Sequence, residues 1–255
     1  MGNEDLGSHF EAVGSLHEAT EAYSRMRHDV STMRHIIDCA RHLISVSLQR
    51  RDWTAVVSNV GKITGIQGHD EEQVLQPYLK IASGIGQLGQ ANFRAAALCF
   101  LDADSKVPAN AYDSIASPSD VAMYGGLLAL ATMDRAELQS RVLDNAPFRA
   151  FLEHEPQLRK AINFFVNGRY SNCLSNLESL RADCLLDLYL QRHVDKLYVD
   201  IRIKCIVQYV APFSCVKIQT LAAAFLPKPY SMEQELVVMI ECGHLDARID
   251  SEAQV

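Results

Sequence analysis

Gly84-Ile85-Gly86-Gln87-Leu88-Gly89 has the glycine spacing of a turn that cradles a dinucleotide pyrophosphate. Such a turn follows a buried strand, opens a helix, and is followed about 20 residues on by an acid for the ribose hydroxyl. Asp104 stands at that distance. The residues before the glycines, Pro77-Tyr78-Leu79-Lys80-Ile81-Ala82, are helix formers without the β-branched run of a buried strand. No alternation of strands and helices surrounds them. Helix packing is therefore the preferred reading of these glycines, with a nucleotide-binding enzyme using Gly84–Gly89 as the alternative. A second pattern is basic. Arg27-His28, Arg34-His35 and Arg41-His42 recur every seven residues, and the last two pairs share one face of a helix expected over 31–48. Arg34 and Arg41 are thus candidate interface residues, on either a solvated helix face or a stripe for an acidic partner. The histidines form no His-Glu-x-x-His and no His-x-His, and Ser, Cys and Lys lack a nucleophile context. Glu71-Glu72 falls in a polar stretch, 64–74, where solvation is its expected role. The pattern points to no catalytic group, no cofactor and no metal ligand.

The elements around these residues are helical. Leu6, Gly7, Phe10, Gly14, Ala19 and Tyr23 fall at the offsets of a tetratricopeptide-type repeat, and Gly84, Ala91, Ala96, Phe100 and Ala103 repeat much of that spacing. Each unit is two antiparallel helices with small residues at the crossing and an aromatic filling the gap. One unit cannot bury its apolar face alone, so neighbours must stack. Helices are expected over 4–28 (a pair turning at Gly14-Ser15), 31–48, 52–64, 75–88 and 92–103. Pro108 to Pro118 reads as a linker. Beyond it, 120–132 is too apolar all round for a surface helix. Further helices fit 134–143, 147–152, 156–167, 170–180, 183–189 and 192–210.

After Pro212 the texture changes. Phe213 to Val216 is a short strand candidate, 217–225 and 231–242 are helices split by Pro227 and Pro229, Gly243 suits a helix C′ position, and Leu245 to Ile249 alternates like a strand. That order is a winged helix with a small β-sheet. Leu245, Ala247 and Ile249 are candidate interface residues on the strand's inward face. The resulting organisation is a helical-repeat domain over 1–107, a linker over 108–118, a helical segment over 119–211 and a winged helix over 212–255.

Composition limits the function classes. With 48% hydrophobic and 22% charged residues, the chain can build sizeable cores. A net charge of −7 argues against a nucleic-acid protein, and from Ser214 onward three basic residues face six acidic ones. The helix that would enter a groove carries Glu233, Glu235 and Glu241 and no Lys or Arg. Seven cysteines, odd in number and without a Cys-x-x-Cys, fit reduced thiols in the cytoplasm or nucleus. Met1 to Gly7 has no apolar signal core, and no run of 18 apolar residues suggests a membrane span.

Helical repeats leading into a terminal winged helix resemble the PCI family, the scaffold subunits of the proteasome lid, the COP9 signalosome and a translation initiation factor. The matching residues include Ser117-Pro118-Ser119-Asp120-Val121-Ala122-Met123-Tyr124-Gly125-Gly126-Leu127, then Phe151-Leu152-Glu153, Leu185-Leu186-Asp187 and Ala222-Ala223-Ala224-Phe225. The Tyr124-Gly125-Gly126-Leu127 block favours the COP9 signalosome branch, with a proteasome-lid scaffold as the alternative. The resemblance implies a non-catalytic scaffold in a complex that removes NEDD8 from cullins. Its partners would be other PCI-type COP9 signalosome subunits, with cullin-RING ligase components as further candidates, and no membrane or nucleic acid. Family members carry residues before the first repeat and continue into a second wing strand and a C-terminal helix. On that comparison this chain reads as trimmed at both ends, with a truncated winged helix.

Overall fold

All regular structure among the described residues of the computed structural model is helical; these are residues 2–26, 33–64, 71–105, 108–225, 231–250 and 252–253. The order is α1 Asn3–Val13, α2 Leu16–Met26, α3 Met33–Gln49, α4 Trp53–Thr64, α5 Glu71–Gly89, α6 Phe93–Leu101, α7 Pro118–Thr132, α8 Arg135–Glu137, α9 Ala146–Leu152, α10 Pro156–Val166, α11 Tyr170–Leu186, α12 Val194–Val210, α13 Ile218–Ala224 and α14 Met232–Glu241. They form two compact units, Met1–Val121 and Ala122–Val255.

The first unit is a stack of helix hairpins in which α1 packs on α2, α2 on α3, α3 on α4, α4 on α5 and α5 on α6. The expected repeat register is realised. A Cβ on Gly7 would lie 2.4 Å from the Tyr23 ring, and one on Gly84 would lie 2.7 Å from Phe100. In both hairpins the aromatic stands sixteen positions after the glycine. Seven positions after each glycine the chain turns through the left-handed region, at Gly14 (φ 83°) and Ala91 (φ 60°). The turns share their hydrogen bonds: Gly14 N–H to Glu11 O and Ser15 N–H to Phe10 O in one, Ala91 N–H to Leu88 O and Asn92 N–H to Gln87 O in the other. This is the Schellman closure, which satisfies carbonyls that the helix end leaves free.

The same register runs through α3–α4, a hairpin without the small-residue signature. Arg51 occupies the left-handed position (φ 56°), with Arg51 N–H on Leu48 O and Asp52 N–H on Ser47 O. Ile44 and Val60 stand where Gly7 and Tyr23 do, and both are buried. In the second unit α10–α11 repeats it once more, with Ala161 and Leu177 buried, Gly168 at φ 73°, Gly168 N–H on Phe165 O and Arg169 N–H on Phe164 O. Glycine with an aromatic, alanine with leucine, and isoleucine with valine are alternative fillings of one crossing.

The stretch expected as a linker is packed. Ala109–Ala111 forms a 3-10 turn against α5, and Tyr112 and Ala116 are buried. Helix α5 starts at Glu71 and not near 75, so the backbone of Glu71-Glu72 is helical and not part of a polar loop. The two short helices expected at 170–180 and 183–189 are one, α11. In α7, Val121, Ala122, Leu127, Leu128, Ala129 and Leu130 are all buried, as its apolar periphery requires. Lys204 of α12 reaches its end, donating to Leu130 O at 2.7 Å and to Met133 O, and sits 4.7 Å from the Phe165 ring centre. Burial lowers its ammonium from 10.5 to about 8.

The winged-helix region keeps its helices and not its strands. Helices α13 and α14 form, and Gly243 takes the left-handed C′ position (φ 73°). Phe213–Val216 and Leu245–Ile249 run without a ladder among the described residues. Alternation supplies a strand with a face but not with a hydrogen-bonding neighbour, and two short segments do not hold a sheet alone. Residues 226–230, with Pro227 and Pro229, lie outside the described residues.

Phe100→Ala should cost about 3–5 kcal/mol in chemical denaturation, and Gly84→Ala about 1–3 kcal/mol through overpacking against the ring. Because alanine and leucine fill the equivalent crossing in α10–α11, Gly84→Ala combined with Phe100→Leu should be more stable than the sum of the single losses; strict additivity would show that the two positions are uncoupled. Lys204 binds its proton more weakly in the folded chain than in the unfolded chain. Its contribution to stability should therefore rise between pH 8 and 10.5, and the stability of the native chain relative to Lys204→Met should rise across that window. A flat or falling difference would refute the assignment.

Candidate protein-binding site

Gly84, Gly86 and Gly89 lie inside helix α5, with no strand before them and no helix opening at them. Each is a packing position. Gly84 faces Phe100; a Cβ on Gly86 would lie 2.9 Å from Val57, and one on Gly89 would lie 2.2 Å from the Trp53 ring. A phosphate cradle needs free backbone N–H groups at a helix N-terminus, and this segment spends its N–H groups inside a helix.

Arg41 is exposed on α3, with its guanidinium 5.2 Å from the Tyr78 ring centre. His42, one residue on, stacks on Tyr23 at 4.7 Å between ring centres and comes within 3.8 Å of Glu4. Part of the basic stripe is thus taken up by contacts within the repeat. Arg34 belongs to α3, but its side chain, like all of Arg27 and His28, lies outside the described residues.

The C-terminal candidates line a cavity of about 560 Å³ together with apolar Phe213, Ile218 and Leu236 and charged Asp246, Arg248 and Asp250. Leu245 and Ile249 are half-buried there and Ala247 is exposed. Leu245 N–H donates to Met239 O at 3.3 Å, while the backbone N–H groups of Asp246 to Ile249 have no backbone acceptor among the described residues. Phe213, which lines the cavity, is 55% exposed, and Val238, on another side of α14, is 56% exposed. A second apolar cluster sits where α11 ends, with Leu186 at 86% and Leu188 at 61% exposure. Asp187 holds that bend by accepting from Tyr124 OH at 2.7 Å and from the N–H groups of Tyr189 and Leu190. Exposed apolar groups concentrated in this way mark interaction surfaces. Sequence patterning missed the leucines because they continue the helical run of α11.

Glu235 is not on the exposed acidic face of α14. It is buried against Arg202 of α12, which donates through Nε at 2.7 Å and Nη2 at 2.8 Å. The signal was available: Glu235 precedes Leu236 and lies one turn before Met239, so it shares their buried side. The forked pair ties α14 to α12 and fixes which side of α14 faces outward.

A family profile described as 26S proteasome subunit RPN7 matches residues 1–141, more than half of the chain. The chain belongs to the RPN7 family. A PCI domain profile covers 177–255. Within the RPN7 family the chain is 51% identical to COP9 signalosome complex subunit 1 of Neurospora crassa over 252 residues, 98% of this chain and 59% of the relative. It is 45% identical to the protein of the same description in Emericella nidulans, over all of this chain and 53% of that relative. To the 26S proteasome non-ATPase regulatory subunit 6 of Oryza sativa subsp. japonica it is 28% identical, over 69% of this chain and 45% of the relative. The chain spans a little over half the length of the two COP9 relatives. It resembles COP9 signalosome subunit 1 along nearly its whole length, as the Tyr124-Gly125-Gly126-Leu127 block implied.

Glu235→Gln removes one charge of a buried pair and strands the other, so it should cost about 3–5 kcal/mol. Arg202→Met with Glu235→Leu replaces the pair by apolar groups and should restore most of that loss. Urea denaturation of the single and double variants checks this; a single-variant loss below about 1 kcal/mol would mean the pair is solvated.

Proposed function

We propose that the chain is a non-catalytic scaffold subunit of the COP9 signalosome, working in the cytoplasm and nucleus in a complex that removes NEDD8 from cullin ubiquitin ligases. The observation that carries this is the 51% identity to a COP9 signalosome complex subunit 1 across 98% of the chain. The geometry supports it. In the first unit stacked hairpins present a helical surface, and the second unit offers a cavity bordered by an extended segment in which the N–H groups of Asp246 to Ile249 have no backbone acceptor among the described residues. Such a segment accepts a strand from another chain, with main-chain hydrogen bonds supplying affinity and the apolar pocket supplying specificity. Leu245, Ala247 and Ile249 are the residues of this edge, and PCI-type subunits are the partners. Nucleic acid is not among them, because the acidic C-terminal segment would repel phosphates.

Affinity capture from a cell extract with the tagged chain, followed by identification of what is bound, tests the reading. COP9 signalosome subunits are expected; recovery of proteasome-lid subunits in their place would assign the chain to that complex. Ala247→Pro removes one backbone donor from the edge and should weaken capture of a neighbouring subunit by about tenfold or more, with helical content unchanged. Undiminished capture by the proline variant would rule out this edge as the contact.

A further inference from the structure

The segment after α14 is complementary to itself. Leu245, Ala247 and Ile249 alternate with Asp246, Arg248 and Asp250. Two copies laid antiparallel with Ala247 opposite Ala247 set Leu245 against Ile249 twice and Asp246 against Arg248 twice. They also set His244, with an imidazole N–H to donate, against the Asp250 carboxylate. Residues directly opposite in an antiparallel pair share a face and interact, so apolar meets apolar and opposite charges meet. Neighbouring registers lose this. A shift of two in one direction sets Asp246 against Asp246. In the other direction it sets Arg248 against Arg248 and Asp246 against Asp250, and like charges directly opposite are destabilising. A shift of one sets apolar residues against charged ones. The extended stretch is bounded on both sides, by left-handed Gly243 (φ 73°) and by a turn in which Asp250 Oδ1 accepts from the N–H groups of Glu252 and Ala253, both at 3.0 Å. Pairing centred farther along would run into that turn.

The backbone agrees with the charges. Alternate N–H groups of an extended chain point to opposite edges. The edge carrying Leu245 begins at a spent donor, since Leu245 N–H bonds Met239 O at 3.3 Å. The edge carrying the N–H groups of Asp246 and Arg248 has no backbone acceptor among the described residues. In the register centred on Ala247, Asp246 and Arg248 become the hydrogen-bonded pairs, each exchanging two N–H···O bonds. Ala247 is then the close, non-hydrogen-bonded pair, with Cα atoms about 4.5 Å apart, where a small side chain fits. The side chains of Asp246 and Arg248 are exposed and make no ion pair or hydrogen bond among the described residues, while Leu245 and Ile249 are only half-buried. We propose that two copies of this chain associate through antiparallel 245–249 strands about a twofold axis at Ala247. A twofold interface requires that residue i meet j while j meets i, and this segment meets that requirement. Pairing over 244–250 alone buries much less than the ~1,600 Å² of a standard interface, so the dimer is weak, with a Kd on the order of 10 μM or above. The inference goes beyond the signalosome reading and does not rest on it. Ala247 N–H, on the opposite edge, stays available to a different subunit.

Sedimentation velocity of the full chain from about 1 to about 200 μM tests this. A dimer should grow in with concentration. Asp246→Arg and Arg248→Asp should each weaken it by about tenfold or more, because every opposed charge at these positions becomes alike. Both residues are exposed, so circular dichroism should stay unchanged. Carrying both substitutions on one chain restores opposite charges across the axis and should bring the dimer back to within about threefold of the native value. An equimolar mixture of the two single variants should form a mixed dimer that neither forms alone. The inference is overturned by a chain that stays monomeric throughout, by undiminished association of either single variant, or by no recovery in the double variant or in the mixture. Capture of signalosome subunits by the native chain is a separate measurement, so the two readings fail separately.

Discussion

Two helices joined by a tight left-handed turn can approach only as closely as the side chains at their crossing permit. Helix axes in contact lie about 8–10 Å apart, and that gap must be filled without voids or overlap. The four hairpins that share this turn meet the requirement differently. Gly7 with Tyr23 and Gly84 with Phe100 place all the volume on one helix; Ala161 with Leu177 and Ile44 with Val60 divide it. The turn is the constant, through the same pair of backbone hydrogen bonds at Gly14, Arg51, Ala91 and Gly168. Arg51 and Ala91 adopt the left-handed region without being glycine, at a cost on the order of 1 kcal/mol each, which the packing on either side offsets.

The same constraint accounts for glycine spacing that looks like a nucleotide site. Glycine serves both a phosphate cradle and a helix crossing because both require a backbone approached closely by something else. In α5 the approaching groups are Phe100, Val57 and Trp53, supplied by α6 and α4. Three glycines on one helix thus let it be flanked on two sides, as an internal helix of a stack must be.

At the other end, burial of a charge decides orientation. Arg202 and Glu235 are each nearly inaccessible, and every alternative rotation of α14 would leave one of them buried without a partner. The pair limits the ways α14 can dock more than it adds to stability. With that side of α14 turned inward, Val237 and Val238 face out, and the segment after Gly243 borders a cavity with the N–H groups of Asp246 to Ile249 lacking a backbone acceptor among the described residues.

Much of this was legible in the chain itself. Glycine and aromatic residues at fixed offsets, Gly14 and Gly243 as left-handed terminators, and the all-round apolar α7 are local signals with a single physical reading. The Ser117–Leu127 block pointed to the family before any coordinate. Other features were not legible. The α3–α4 hairpin was recognisable as two helices but not as a repeat, because isoleucine and valine at a crossing look like any core residues. Strands at 213–216 and 245–249 looked plausible because alternation reports a face, whereas a strand exists only where another backbone completes its hydrogen bonds. Tyr112 looked like part of a linker because the prolines around it give no sign that it is buried. Above all, the joining of Arg202 to Glu235 depends on residues that are distant in sequence and on different helices. Periodicity gives each helix its buried side, but which charged groups meet is decided only when those sides are packed together.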